Sequence, residues 1–199
     1  MLAKPPKNFD QLQLPTKEVD VEKLRRVSGF TSGEPYFGTK KLYRFDDPKR
    51  TFGTCYCGLD LDTAVAESVL RDAVPQSGRF EVAQSQLESK HVVRFAPNAA
   101  GDKLILANLT GAGLKRLGAD NSVSSVMQYA QTQKWAAAVH AHPAGVDGIL
   151  FVSRQLNDKK AVVLFDRAKS KLGKASYAKL SGANELESTK KRLGIKVVY

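Results

Sequence analysis

The apolar residues of this chain fall into many short runs separated by turn-forming residues, and this division limits what the chain can fold into. Such runs predict short strands over residues 42–45, 54–59, 79–82, 91–95, 103–107, 148–153, 161–165 and 195–199. Helical spacing and capping residues predict helices over 17–27, 60–73, 122–139 and 180–193. Because strands and helices do not alternate regularly, the pattern favours an α+β fold, with a core of short mixed strands and flanking helices, over a doubly wound parallel sheet.

The length of the chain suits one domain. With 199 residues, 42% of them hydrophobic, it can bury a substantial core. Three prolines, Pro5, Pro6 and Pro15, accompany several charges near the N-terminus. We therefore divide the chain into residues 1–25, an N-terminal arm with the start of the first helix, and a domain over residues 26–199. The arm is expected to lie over the domain rather than to form its core.

The net charge of +11 raises the alternative of a nucleic-acid-associated binding module, because clustered basic side chains gain affinity for phosphate by releasing counterions. The basic residues are instead scattered in small groups, and neither an aromatic-interleaved stripe nor a zinc-finger spacing accompanies them. A solvated basic surface, which could also receive an acidic protein or an anionic ligand, is the simpler interpretation. Direct nucleic-acid binding is therefore not expected, although it stays the alternative from another functional class.

Cys55 and Cys57 are the only cysteines, and one residue separates them, so they cannot close a long-loop disulfide. They are interpreted as small buried side chains, which favours a reducing compartment. The first residues lack the continuous apolar core of a signal peptide, and no stretch reaches the roughly 18 apolar residues of a membrane span. A cytoplasmic protein without membrane contact is the resulting expectation.

His140 and His142 form a His-x-His pair, which on a strand could chelate zinc. Only His91 joins them as a further histidine, and no acidic cluster lies near the pair in sequence, so no metal is expected. A nucleophilic pair of Cys55 with a histidine is ranked lower still, because no thiolate-stabilising neighbourhood is visible. The chain also lacks Gly-x-Gly-x-x-Gly and phosphate-loop sequences, which disfavours a redox dehydrogenase and a nucleoside triphosphatase.

Four short patches contain residues suited to a different dinucleotide chemistry. Arg44 in Tyr-Arg-Phe can supply a positive fork for phosphate, and Tyr56 in Gly-Thr-Cys-Tyr can supply a flat stacking face. Glu67 in Thr-Ala-Val-Ala-Glu can stabilise a developing cation, and Ser153 follows Asp-Gly-Ile-Leu-Phe-Val. Each residue alone is more often structural. Together they suit a nicotinamide dinucleotide that is split at its glycosidic bond.

In order and context these residues resemble the RES-domain family, which is named for its Arg, Glu and Ser residues. The resemblance extends over about residues 26–167 and is most specific within 42–167, above all where a tyrosine stands eleven positions before the glutamate. It implies an ADP-ribosyltransferase-like fold and an enzyme that consumes NAD as its substrate. Family members are commonly bacterial toxins, each paired with an antitoxin that blocks the NAD cleft. Some hydrolyse or phosphorolyse NAD, and others transfer ADP-ribose to protein.

The resemblance also implies roles for individual residues. It places Arg44 near NAD, Tyr56 beside nicotinamide, Glu67 at the centre of catalysis and Ser153 against nicotinamide or ribose. The family's frequent Gly-Gly-Arg-Trp-Asn segment is absent, and Arg50 is its nearest analogue, at a shorter spacing. The expected catalytic residues are therefore Arg44, Tyr56, Glu67 and Ser153, and the expected NAD-binding residues are Arg44, Arg50, Tyr56 and Ser153.

The resulting hypothesis is an NAD glycohydrolase, NAD phosphorylase or ADP-ribosyltransferase that acts as the toxin of a toxin–antitoxin pair. Water, inorganic phosphate and a side chain of a target protein all stay open as the acceptor. The expected partners are NAD and an antitoxin that covers the cleft, and a homodimer is left open. A catalytically inactive relative that binds NAD and a partner protein is a further alternative.

Overall fold

Short strands and short helices make up the computed structural model, which describes residues 2–99 and 101–199. The strands are β1 (Thr16–Asp20), β2 (Arg26–Ser28), β3 (Thr54–Gly58), β4 (Phe80–Ala83), β5 (His91–Pro97), β6 (Lys103–Leu109), β7 (Gly148–Val152), β8 (Lys160–Phe165), β9 (Leu172–Lys179) and β10 (Ile195–Val198). The helices are α1 (Leu61–Ala66), α2 (Gln84–Glu88), α3 (Gly111–Arg116), α4 (Ser122–Ser125), α5 (Ala130–Ala141) and α6 (Leu186–Leu193). None of the helices in these two ranges has both the length and the apolar character needed to span a bilayer.

A five-stranded sheet in the order β1-β6-β7-β8-β3 forms the centre of the protein. β6 and β7 are parallel, whereas the other neighbours are antiparallel. β7 and β8 are covered on both faces, which explains why their sequences are continuous apolar runs. Ile149 and Val163 belong to a core that includes Trp135 of α5, while Leu150 and Val162 belong to a second core on the other side of the sheet. This mixture of strands with flanking helices confirms the single-domain α+β class.

A smaller antiparallel sheet, β2-β5-β9, contributes to the second core through Val93 and Phe95. Reciprocal backbone hydrogen bonds of 2.9 and 2.8 Å between Arg25 and Gly58 join the start of β2 to the end of β3. β4 and β10 form a separate parallel pair. The two larger sheets therefore meet beside β3, the strand that carries Tyr56.

The connection from β3 to α1 is unusually tight. A Cβ atom at Gly58 would lie 2.6 Å from the amide nitrogen of Ala64, so a larger residue does not fit there. Asp60 caps the helix, because its Oδ1 accepts hydrogen bonds from the amide and the hydroxyl of Thr63 at 2.8 and 2.6 Å. α1 then ends at Ala66, and this short path places Glu67 close to the end of the central sheet.

The N-terminal arm contributes to the core, contrary to the expectation that it only covers the domain. Leu2, Phe9 and Leu14 are buried in the core on the α5 side of the sheet. The Trp135 indole donates a 2.8 Å hydrogen bond to the carbonyl of Ala3, and its ring meets Phe9 edge-on at 5.5 Å. The prolines break regular structure in the arm, but its apolar side chains still find buried positions.

Two element predictions were wrong. Residues 17–27 contain β1, a 3-10 turn and the start of β2 rather than a helix, because backbone pairing with β6 and β5 overrides local helical spacing. Residues 42–45 form turns rather than a strand. There the carboxylate of Asp46 accepts both the Leu42 and the Tyr43 amide, so side-chain hydrogen bonds replace strand pairing.

The remaining predictions were confirmed in part. The strands expected over 54–59, 79–82, 91–95, 103–107, 148–153, 161–165 and 195–199 are present as β3 to β8 and β10. The helix expected over 60–73 ends at Ala66, the helix expected over 180–193 begins only at Leu186, and the one expected over 122–139 is broken into α4 and α5. β9, a strand at a sheet edge with alternating burial, was missed. Cys55 and Cys57 are free and buried, as expected.

Candidate active site

A cavity of about 590 Å³ lies where β2, β3, β7 and β8 approach the end of α1. Arg44, Tyr56 and Glu67 all line it, although they come from a turn, a strand and a helix end. The volume falls within the range of about 300–1,000 Å³ that is typical of small-molecule sites. The fold therefore brings three of the predicted site residues to one cavity, and Ser153 and Arg50 occupy other positions.

Arg44 is held on the cavity wall by two contacts. Its Nη1 donates a 2.7 Å hydrogen bond to the carbonyl of Val126, in the break between α4 and α5. Its guanidinium carbon lies 5.1 Å from the centre of the Tyr129 ring, in cation–π contact. Burial lowers the pKa of Arg44 from its ordinary value. Since arginine is the most basic side chain in proteins, the group stays charged at neutral pH.

Tyr56 presents its ring to the cavity and its hydroxyl to the protein. The hydroxyl accepts a 2.8 Å hydrogen bond from the amide of Phe45 and donates one of 3.1 Å to Asp46 Oδ1. Burial and the nearby Asp46 carboxylate raise the pKa of Tyr56 well above its ordinary value, so the phenol stays neutral. Tyr56 thus lines the cavity, while its hydroxyl anchors the turn that carries Arg44.

Aromatic and cationic side chains alternate around this part of the cavity. The Arg71 guanidinium lies 4.7 Å from the Tyr43 ring centre, and its Nη2 is 3.4 Å from the Tyr129 hydroxyl. The Tyr43 and Tyr56 rings meet edge-on at 5.6 Å. We call this set the arginine–tyrosine wall, and its members are Tyr43, Arg44, Tyr56, Arg71 and Tyr129. The contacts make a continuous surface that combines positive charge with flat apolar faces.

The Glu67 carboxylate, which also lines the cavity, is held by the end of β7. Oε1 of Glu67 accepts a 2.6 Å hydrogen bond from the Ser153 hydroxyl and a 3.0 Å bond from the Arg154 amide. Among residues 2–99 and 101–199, no hydrogen bond engages Oε2 of Glu67. We call Glu67, Ser153 and Arg154 the Glu67–Ser153 corner. One carboxylate oxygen is thus fixed, and the other keeps its capacity to accept a hydrogen bond.

Ser153 itself is almost completely buried, with 2% of its surface exposed. Besides donating to Glu67, its hydroxyl accepts hydrogen bonds from the amides of Gln155 and Leu156 at 3.2 and 3.1 Å. Ser153 is not among the residues that line the cavity. Ser153 therefore lies behind Glu67, which it contacts directly.

Arg50 lies away from the cavity. It is exposed, adopts a left-handed backbone conformation with φ of 61°, and belongs to the turn that follows Asp47. It is not among the lining residues, whereas Arg25, Arg26, Arg71 and Arg154 are. The arginine-rich character of the cavity thus comes from residues that were not predicted. Arg25 and Arg26 belong to the scattered basic residues that had no predicted role, and no role was predicted for Arg71 or Arg154 either.

The lining carries an excess of positive charge. It contains five arginines, Arg44 included, against the two carboxylates Glu67 and Asp72. Within the described part of the chain, only Arg26 of these five forms a salt bridge, at 2.9 Å to Glu34. Unpaired guanidinium groups around a concave site favour anions, and their planar forks suit phosphate oxygens.

The His140 and His142 rings have separate structural contacts. His140 stacks on Phe52, with ring centres 3.9 Å apart, and burial together with Arg167 lowers its pKa. His142 Nε2 lies 3.0 Å from the carbonyl of Leu12, and its Nδ1 accepts a 3.0 Å bond from the amide of Ala144. The two rings therefore do not converge on one point.

The chain matches a known family over the region that contains the cavity. The family model described as "RES domain" matches residues 23–182, which is most of the chain and includes every residue of the cavity lining. The chain belongs to the RES-domain family. Its candidate site is thus located within the region that defines that family.

Two relatives extend the comparison. The RES-domain chain is 30% identical over 108 residues to a protein of Sinorhizobium fredii named "Probable toxin y4kH", and the match covers 54% of this chain and 82% of the relative. It is also similar in fold to a chain in the crystal structure of the M. tuberculosis MbcT-MbcA toxin-antitoxin complex, with a TM-score of 0.57 and 15% identity. That match covers 83% of this chain and 88% of the other.

The arrangement of the RES-domain cavity defines what it can do chemically. The arginine–tyrosine wall can hold an anionic ligand that also has a flat ring, because both kinds of contact occur side by side. The Glu67–Ser153 corner adds a fixed carboxylate to the lining of the same cavity, where it can stabilise positive charge. A dinucleotide that develops a cation when its glycosidic bond breaks meets both requirements.

Proposed function

We propose that this protein is an NAD-consuming enzyme that cleaves the bond between nicotinamide and ribose. The observation that carries the proposal is the convergence of Arg44, Tyr56 and Glu67 on one arginine-rich cavity of about 590 Å³. Membership of the RES-domain family adds support, because the resemblance to that family is what implied an NAD-consuming activity. In this proposal Arg44 binds the pyrophosphate or nearby ribose oxygens, and Tyr56 packs against nicotinamide.

The chemical step is the loss of nicotinamide from ribose. The bond between ribose C1′ and the nicotinamide ring nitrogen breaks, and its electron pair neutralises the pyridinium charge of the leaving group. The oxocarbenium ion that remains is stabilised by the Glu67 carboxylate, directly or through the ribose hydroxyls. Ser153 contributes by holding Oε1 of Glu67 at 2.6 Å, so its role is to position the carboxylate.

An acceptor completes the reaction at C1′. Water gives ADP-ribose and a proton, inorganic phosphate gives an ADP-ribose phosphate ester and a proton, and a nucleophilic side chain gives an ADP-ribosylated protein. The products distinguish these three acceptors. Nicotinamide is released in every case, but the product that carries ADP-ribose differs. Incubation of NAD with the purified protein, with and without phosphate and protein extract, assigns the acceptor.

We further propose that the protein is the toxin of a toxin–antitoxin pair and that the antitoxin covers the cavity. Two similarities support this role: the Sinorhizobium fredii relative is named a probable toxin, and the fold is shared with a chain of a toxin-antitoxin complex. Induced expression of the wild type should then arrest growth and lower cellular NAD, whereas Glu67→Gln should do neither. Growth arrest with unchanged NAD would argue for a toxic activity other than the one proposed.

The decisive experiment measures release of nicotinamide by purified wild type and Glu67→Gln. Removing the charge of one preorganised stabilising group should lower kcat about 10²- to 10³-fold, with a smaller change in KM. Glu88→Gln is the matched control, because Glu88 is exposed on α2 and bonds only to Gln84 among the described residues. Wild-type turnover that persists in Glu67→Gln would remove Glu67 from the mechanism. No nicotinamide release by the wild type would refute the function.

A further inference from the structure

A buried carboxylate that the proposed chemistry does not use lies behind the arginine–tyrosine wall. Asp46 is 3% exposed and accepts four hydrogen bonds. Its Oδ1 accepts from the hydroxyls of Thr54 and Tyr56 at 2.6 and 3.1 Å. Its Oδ2 accepts from the amides of Leu42 and Tyr43, each at 2.9 Å. One side chain therefore joins strand β3 to the turn over residues 42–46.

The hydrogen bonds of this network fix the residues directly before and after Arg44 in the chain. Tyr43, on one side of Arg44, is fixed through its amide by Asp46, and its carbonyl accepts a 3.0 Å hydrogen bond from Gln133. Phe45, on the other side, donates its amide to the Tyr56 hydroxyl at 2.8 Å. The backbone on both sides of Arg44 is thus tied to the same residues that orient the Tyr56 ring. Without these bonds, the turn has no strand pairing to fix its course.

We propose that Asp46 is a positioning residue, which holds the Arg44 guanidinium and the Tyr56 ring in the relative placement that the dinucleotide requires. The ligand in this statement rests on the proposed function, whereas the mechanical coupling rests on the hydrogen bonds alone. Groups that orient a substrate jointly are sensitive to their separation, since a misplacement near 1 Å can cost about 100-fold in rate. Asp46 has no contact with the cavity and acts only through its partners.

The neighbouring residue supplies a matched control. Asp47 is also 3% exposed, and its carboxylate accepts hydrogen bonds from the amides of Lys49, Thr51 and Phe52 and from the Thr51 hydroxyl. None of those partners lines the cavity. Asp46 and Asp47 therefore match in charge, burial and number of hydrogen bonds. They differ in whether the bonded groups belong to the site.

The experiment compares Asp46→Asn with Asp47→Asn. A carboxylate accepts at both oxygens, whereas an amide accepts at one atom and donates at the other, so each substitution deprives one set of donors of its acceptor. Asp46→Asn is expected to raise the KM for NAD about tenfold, with a smaller fall in kcat. The Kd for NAD, measured by calorimetry, should also rise about tenfold. Asp47→Asn is expected to leave KM and kcat within about twofold of wild type, with a comparable loss of thermal stability.

A double-mutant cycle separates positioning from a general loss of structure. If Asp46 acts through Arg44, Asp46→Asn should change NAD affinity by less than about twofold in an Arg44→Ala background. Backbone amide exchange is expected to accelerate over residues 42–46 in Asp46→Asn and over residues 49–52 in Asp47→Asn. Thr54→Val, which removes one donor and keeps the carboxylate, should raise KM about threefold and provides the test if Asp46→Asn does not fold.

Equal kinetic effects of Asp46→Asn and Asp47→Asn would overturn the inference, and so would an undiminished effect of Asp46→Asn in the Arg44→Ala background. Failure of the proposed function has a different signature. In that case the wild type neither binds nor cleaves NAD, while amide exchange over residues 42–46 still reports whether Asp46 fixes the turn. Unchanged exchange in Asp46→Asn would refute the mechanical coupling, whatever the ligand.

Discussion

The arginine–tyrosine wall and the Glu67–Ser153 corner belong to the same site but are built in different ways. In the corner, Glu67 follows directly after α1 and Ser153 directly after β7, so regular backbone delivers both side chains. In the wall, Arg44 stands on a turn and is held by Val126, Tyr129 and the network of Asp46. Regular elements place the carboxylate, and contacts between distant loops place the cation.

The two kinds of construction should respond differently to substitution. The corner depends on a few short hydrogen bonds in a region whose backbone is fixed by sheet pairing. The wall depends on many contacts among residues far apart in sequence, such as Arg71 with Tyr129 and Arg44 with Val126. We therefore expect substitutions in the wall to alter NAD binding, and substitutions in the corner to alter the rate of the bound complex.

After Glu67→Gln, Arg44→Ala should have the strongest effect among substitutions in the wall and the corner. In the proposed function the buried Arg44 guanidinium binds phosphate oxygens, so its loss should lower kcat/KM about 100-fold, mostly through KM. The measurement is steady-state nicotinamide release over a range of NAD concentrations.

Arg50→Ala is the control for Arg44→Ala, because Arg50 was expected to bind NAD but lies outside the cavity lining. It should change kcat/KM by less than about twofold. If Arg50→Ala were as damaging as Arg44→Ala, the cavity would not be the NAD site in the form described.

Ser153→Ala should have the next largest effect and should show it in kcat. The substitution removes the 2.6 Å donor to Glu67 and leaves the amides of Gln155 and Leu156 without their acceptor. We expect kcat to fall about tenfold with little change in KM, and the free energy of unfolding to fall by about 1–3 kcal/mol. Ser170→Ala, at an exposed serine, should change neither quantity. A rise in KM without a fall in kcat would instead indicate that Ser153 contacts NAD.

The corner was also the part of the site that sequence described best. Glu67 and Ser153 adjoin an apolar helix and an apolar strand, whose periodicities are visible in the chain. The sequence spacing of eleven positions from Tyr56 to Glu67 is also typical of the RES-domain family. The strand of Tyr56 was likewise confirmed as β3. The end of β7 before Ser153 was located to within one residue, whereas α1 ends seven residues before its predicted end. Glu67 therefore stands at the end of a helix that was predicted to continue past it.

The wall could not be predicted in the same way. Arg44 was identified, but on a strand that does not exist, because the hydrogen bonds from Leu42 and Tyr43 to Asp46 leave no signature in hydropathy. Arg71 and Tyr129 were missed altogether, since their contact joins residues 58 positions apart through a break between two helices. Arg50 was predicted to bind NAD because it is the nearest analogue of an arginine in the family's missing segment. The turn that begins at Asp47 leaves it outside the cavity lining.

Tyr56→Phe should have a smaller effect and tests whether ring and hydroxyl have separate tasks. The ring remains, but the buried amide of Phe45 loses its acceptor, so we expect KM to rise about fivefold with kcat nearly unchanged. Because burial and Asp46 raise the pKa of Tyr56, its hydroxyl stays protonated beyond the ordinary value near 10, and the ratio of variant to wild-type activity should stay constant between about pH 7 and 9. A ratio that changes with pH in this interval would show that the hydroxyl titrates.

Arg154→Ala should have the smallest effect, although Arg154 is adjacent to Ser153. Its backbone amide, which bonds Glu67 at 3.0 Å, survives the substitution, and its side chain is exposed at the cavity. What is lost is a solvated charge near an anionic ligand, which should raise KM about threefold at low ionic strength and have no measurable effect near 0.5 M salt. Persistence of the effect at high salt would mean that Arg154 binds the substrate directly, and the division between a binding wall and a catalytic corner would then no longer hold.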